Sequence, residues 1–111
     1  MKKKTATPPD AGEQKGISFA TRDFGNVTVI TSTYRNGDSV AVELVDENGE
    51  SIATLSVNIP ERAHLLGDGE FFAKTWSENA EIAEDALASG IFHDTGRRSD
   101  DNLNTQIWKF K

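Results

Sequence analysis

The chain contains no cysteine. That absence removes disulfides, iron–sulfur clusters, thiolate zinc sites and cysteine nucleophiles, so a stable fold must come from packing alone. Histidine is almost as scarce: His64 and His93 are the only two, and they are too far apart in sequence to share one helical face, so metal ligation would need carboxylate help. Serines and threonines are plentiful, yet none sits in a Gly-x-Ser-x-Gly elbow. Gly67-Asp68-Gly69-Glu70 lacks the Lys-Ser/Thr that completes a phosphate loop and reads as a tight turn. The Asp94-to-Asp101 stretch lacks calcium-loop spacing, and Arg97 and Arg98 within it oppose a cation. No apolar run approaches the roughly 20 residues that span a bilayer. Lys2-Lys3-Lys4 leads into Thr-Ala-Thr-Pro-Pro rather than a signal-peptide core. The expectation is a cytoplasmic protein that is not an enzyme, with no cofactor and no metal, and with no membrane and no direct nucleic-acid contact.

What is present fits one small domain. The 111 residues are 36% apolar and 27% charged, with 8% aromatics, enough for one modest core. The formal charge of −6 is uneven. Residues 1–15 carry four lysines against Asp10 and Glu13, while from Gly16 onward eight basic residues face sixteen acidic ones, leaving that part near −8. An acidic body attracts basic surfaces, including the nucleic-acid grooves of other proteins. Residues 1–16, with two adjacent prolines and no large apolar residue after Met1, cannot offset their ordering entropy by burial and read as a flexible tail. Residues 17–111 read as the folded domain.

Within it, Ile17 to Phe24 is compatible with a short edge strand. Val27 to Tyr34 is β-branched and roughly alternating, Asn36-Gly37 favours a hairpin turn, and Ser39 to Asp46 alternates again. A second pair, Asn48-Gly49, leads into Ile52 to Ile59. Two-residue loops at both pairs would fix the registers. Thr33 then faces Val40, Thr31 faces Val42 and Val29 faces Leu44, while Leu44 faces Ala53, Val42 faces Leu55 and Val40 faces Val57. Both turns place Val40, Val42 and Leu44 on one face with Val27, Val29, Ala53, Leu55, Val57 and Ile59. The other face, including Ile30, Tyr34, Val45, Ile52 and Ser56, is mixed.

Pro60 ends the third strand. Phe71 to Trp76 reads as a further extended segment, and Ser77 as the N-cap of a helix to about Ser89, stopped by Gly90. Residues 94–104 read as a charged turn, and Thr105 to Lys111 as a final strand. The fold class expected is α+β: an antiparallel β-meander of 4–5 strands with one helix packed on its apolar face.

The candidate partner-binding residues are two acidic clusters and an arginine pair. Glu43, Asp46, Glu47 and Glu50 surround the second hairpin; Glu78, Glu81, Glu84 and Asp85 lie on the helix. Side by side, the two clusters would present carboxylates much as a nucleic-acid backbone presents phosphates. Arg97-Arg98 offers two guanidinium forks to carboxylates or phosphates, either within the fold, as an ion pair with Asp94, Asp100 or the acidic helix, or toward a partner.

The run from Gly69 to Glu84 (GEFFAKTWSENAEIAE) and the run from Leu87 to Arg98 (LASGIFHDTGRR) resemble a family of small proteins carried by phages, plasmids and conjugative elements, known only as a domain of unknown function. Asn36-Gly37, Leu44-Val45 and Ala53 to Pro60 are similar to that family's hairpins. The resemblance spans about residues 27–111. It brings no catalytic residues and implies a genetic setting, the accessory genes of mobile elements, which includes anti-CRISPR-type inhibitors. The expectation is a stoichiometric inhibitor that binds a Cas effector or another nucleic-acid-binding protein. The alternative is a regulatory accessory protein that acts as a homodimer or on another element-encoded protein.

Overall fold

The computed structural model describes residues 17–36, 39–100, 102 and 104–111. The expected tail, residues 1–16, lies outside the described residues, as does Gly37 of the first Asn-Gly pair. The architecture is α+β: two four-stranded antiparallel sheets and one main helix. The first sheet is the expected meander, β1 (Ser18–Thr21), β2 (Gly25–Thr33), β3 (Val40–Val45) and β4 (Ser51–Thr54), in that spatial order. Its β2–β3 register is the one the alternation dictates, with Val29 opposite Leu44, Thr31 opposite Val42 and Thr33 opposite Val40. Val27, Val29, Val42 and Leu44 are fully buried on the shared face, and each such side chain contributes about 1.5–3 kcal/mol relative to exposure.

Both short turns of this sheet are three residues long. Between β1 and β2 the chain reverses through residues 22–24 and enters β2 at Gly25, whose φ of 68° is the left-handed value that closes a three-residue hairpin loop. Between β3 and β4 the expected two-residue Asn48-Gly49 loop is instead three residues long, closed by the Asp46 N–H donating to Glu50 O at 2.8 Å. The Asp46 side chain explains the change. Its Oδ1 accepts from the N–H groups of Asn48 and Glu50, both at 2.9 Å, which favours a type I turn over the mirror-image one. A bulge then restores the register, so that Leu44 still faces Ala53 while Val45 faces Ser51. The cost of that bulge is a change of side at one residue: Ile52, expected on the mixed face, packs against the core along with Ala53.

The third strand of the meander does not continue to Ile59. Leu55 is a pivot, donating its N–H to Val42 O at 2.8 Å in the first sheet and accepting at its carbonyl from Lys74 N at 2.7 Å in the second. Past it the chain becomes β5 (Ser56–Val57) of the second sheet, so Val57 faces Phe72 rather than Val40. Ser56 fills the gap left at the corner: its buried Oγ accepts from Val42 N at 2.8 Å and lies 2.8 Å from the Tyr34 hydroxyl.

The second sheet has the order β5-β6-β8-β7, with β6 (Glu70–Ala73), β7 (Phe92–Arg98) and β8 (Gln106–Phe110). The segments expected at Phe71 and at Thr105 to Lys111 are therefore strands, whereas the charged turn expected over residues 94–104 begins as strand, with residues 94–98 belonging to β7. Alternation is hidden there by a bulge between Asp94 and Arg98, with Gly96 at φ 87° and Thr95 Oγ1 donating to Ile107 O at 2.7 Å. Phe71, Phe92 and Trp108 line the face toward the first sheet, their rings 5.7–6.2 Å apart. Alternate residues, Phe72 and Ile107, form a smaller core on the other face with Ile59, Leu65 and Leu66 under the 3-10 helix Pro60–Leu65.

The helix α1 (Ala80–Ala88), preceded by a 3-10 turn over Ser77–Asn79, ends at Gly90 as expected. It packs against β1 and β7, the edge strands of the two sheets, and adds Ile82, Ala83 and Ala86 to the main core. The rest of the first sheet's apolar face is covered by the second sheet. Ser77 is not the cap; it has a φ of 57° and makes no capping bond. Buried Asn79 holds the helix start, donating from Nδ2 to Thr54 O at 2.8 Å and Lys74 O at 3.1 Å.

Candidate protein-binding face

The β1–β2 turn is where the two acidic clusters approach each other. On one side Glu47 accepts from Asn26 N at 3.4 Å. On the other, Arg22 reaches α1, donating from Nη2 to Asp85 Oδ1 at 2.9 Å and Glu84 Oε1 at 3.0 Å, with Glu81 at 4.0 Å. The Arg22 main-chain N–H also donates to Asp85 Oδ2 at 3.1 Å. The hydrogen bonds from Arg22 hold the Asp85 carboxyl below its ordinary range, and the same bonds, to Asp85 and then Glu84, raise the Arg22 guanidinium. One guanidinium does not balance the site. Asp23, close to the Glu81 carboxyl, pushes it above the ordinary value, so a fourth carboxyl group joins the three that face Arg22.

Phe24 stands at the tip of this turn, 48% exposed and the most exposed large apolar side chain among the described residues. With Thr21, Asp23, Glu78, Glu81, Ile82 and Asp85 it borders a concavity of about 100 Å³. An aromatic ring at a rim of carboxylates is the composition of a protein-binding patch, in which the ring supplies apolar area and the charges select the partner. Sequence reading passed over Arg22, Asp23 and Phe24. A phenylalanine placed between two strands, where a turn leaves it no core to enter, was the available signal.

The remaining candidates are divided between structure and surface. Asp46 serves its own turn, and Glu43 accepts from the Ser51 hydroxyl. Glu50 is exposed, and Glu78 is exposed while paired with Lys74 at 2.6 Å. Both arginines of the expected pair are engaged inside the fold. Arg97 bonds Glu70 and donates to Leu65 O at 2.8 Å, locking the segment that covers the smaller core. Arg98 grips Asp94 through two bonds of 3.0 and 3.2 Å. His64 and His93 are exposed on different elements, and among the described residues no group of three or more histidine, aspartate or glutamate side chains is gathered to hold a metal. Among the described residues no helix is long and apolar enough to cross a membrane.

No protein-family model matches the chain, and neither a curated protein nor a solved structure matches it significantly.

Proposed function

We propose that this chain is a stoichiometric, non-catalytic inhibitor of a bacterial defence system, an anti-CRISPR-type protein of a mobile element that occupies the basic nucleic-acid-binding surface of a Cas effector. The observation that carries the reading is Phe24, exposed beside Asp23 and the α1 carboxylates on a turn whose far side, at Asn26, meets Glu47. Carboxylates steer the chain toward a positively charged groove, and the ring anchors it once water is expelled. The resemblance to small mobile-element proteins supplies the genetic setting.

The test uses purified Cas effectors with their guides, assayed for target cleavage with increasing amounts of the chain. Inhibition saturates at a fixed ratio, weakens with salt, and is lost by at least about tenfold in Phe24→Ala, a substitution expected to cost only about 1 kcal/mol of stability because about half of the residue is exposed. Inhibition that ignores both Phe24→Ala and the paired reversal of Glu47 and Glu81 to lysine would remove this face from the mechanism. A second reading, self-association as a regulatory accessory protein, is favoured by the outer face of the first sheet, where Ile30 is 38% exposed. A dimeric mass in light scattering that falls to monomer in Ile30→Lys would select it.

A further inference from the structure

Among the described residues, β1 is an edge strand with no strand paired on its outer side. Val29 donates to the Ile17 carbonyl at 3.0 Å, so by antiparallel alternation Ile17, Phe19 and Thr21 turn their main-chain groups toward β2. Ser18 and Ala20 turn theirs away, and both residues are exposed. Among the described residues, no backbone hydrogen bond outside the β1–β2 ladder uses the main chain of either. The next outward N–H, that of Arg22, is taken by Asp85. This bond closes one end of the edge.

Beside the edge runs a groove of about 380 Å³, lined by Ser18, Phe19, Ala20, Asp85, Ala88 and Ser89. Four of those six side chains are small, so an incoming backbone can approach β1 closely. The opposite wall is Asp85 and Ala88 of α1 and the following Ser89; the helix also carries Glu81 and Glu84 outside the groove and no lysine or arginine. Its C-terminal end, at Ala88 and Ser89, adds the negative pole of the helix dipole. Arg22 offsets only part of that charge.

We propose that the groove between β1 and α1 is a strand-acceptor site, which takes an extended, lysine- or arginine-bearing segment of a partner protein as a fifth strand on the first sheet. Main-chain bonds to Ser18 and Ala20 supply affinity. Asp85 at the groove wall, with Glu81 and Glu84 further along the helix, selects basic side chains. The site adjoins the Phe24 face at Asp85 but does not depend on the partner being a defence protein.

The experiment is selection of random heptapeptides displayed on phage against the immobilised full chain, followed by binding of synthetic versions of the winners. Winners are expected to carry lysine or arginine and to slow amide exchange at Ser18 and Ala20. They should bind Ala20→Pro at least about tenfold more weakly, since proline removes an outward N–H and, at an edge strand, leaves the inner ladder intact. An unchanged melting temperature checks that the variant folds, and the exchange measurement on the unsubstituted chain stands without it. Phe24→Ala should leave peptide binding unchanged, which separates this site from the inhibitor face. Three outcomes would overturn the proposal: no enrichment, winners that bind Ala20→Pro equally well, or Ser18 and Ala20 already protected by a second copy of the chain.

Discussion

Ser56→Ala probes the corner where the chain leaves one sheet for the other. The native hydroxyl accepts from the N–H of Val42, a residue with no exposed surface, and meets the Tyr34 hydroxyl at 2.8 Å. Removing it leaves the Val42 N–H buried without an acceptor, at a cost of about 1–3 kcal/mol. The Tyr34 hydroxyl loses the same partner but is only half-buried, so water replaces the bond and adds little. We expect a loss of about 2 kcal/mol, seen as a fall in melting temperature of about 8 °C for a domain of this size. Urea unfolding followed by the fluorescence of buried Trp108 measures it directly, with an unchanged slope showing that the unfolding event is the same. Tyr34→Phe should cost about 0.5–1 kcal/mol, and the double variant should cost no more than Ser56→Ala alone, because both act through one hydroxyl. A loss below about 0.5 kcal/mol for Ser56→Ala, or additive effects in the double variant, would refute the assignment of Ser56 as the substitute partner in the broken ladder.

Two further outcomes test the interior of the fold. Asn79→Ala removes both bonds from Nδ2 to the carbonyls of Thr54 and Lys74 and should cost about 2–3 kcal/mol in urea unfolding, with faster amide exchange in the first turn of α1. Acid should destabilise the protein: Glu70, held below its ordinary value first by Arg97 and then by the Gly67 N–H, and Asp85, held down by Arg22, both lose protons more readily folded than unfolded. Their contribution is complete above the ordinary carboxylate range and is lost as pH falls toward their folded values, so Glu70→Gln should flatten the dependence of stability on pH below about 4.5. A pH profile identical to that of the unsubstituted chain would rule out the Arg97 pairing as a source of stability.

Sequence patterning alone was sufficient for the β2–β3 pairing of the first sheet and for the existence and end of the helix. Period-two alternation from Val27 to Leu44 has one solution that buries Val27, Val29, Val42 and Leu44 together, and a one-residue slip would expose them all, so the β2–β3 register was legible. Gly90 marked the end of the helix for equally local reasons, whereas its start, expected at Ser77, is set by the tertiary bonds of Asn79. The third strand was not legible in the same way. Nothing in the alternation of Ile52 to Ile59 shows that Leu55 hands the chain to another sheet, because that depends on Lys74 and Ala73 arriving from elsewhere. The bulge at Ile52 depends likewise on the Asp46 side chain choosing its turn, and the strand at Phe92 to Arg98 on pairing with β8 across an irregular stretch.

The candidate site divides along the same line. Composition fixed the charge of the body, and the identity of the acidic residues on the hairpin and helix followed from reading the chain. Only the tertiary structure decided that Arg22 ties the β1–β2 turn to α1, that Glu47 reaches the other side of that turn, that Arg97 and Arg98 pair with Glu70 and Asp94, and that Phe24 is left outside. Local propensity is a property of neighbours in sequence, whereas a surface is made by residues that meet only after the two sheets have closed over their shared core, and charge pairing across that distance leaves no periodic trace in the chain.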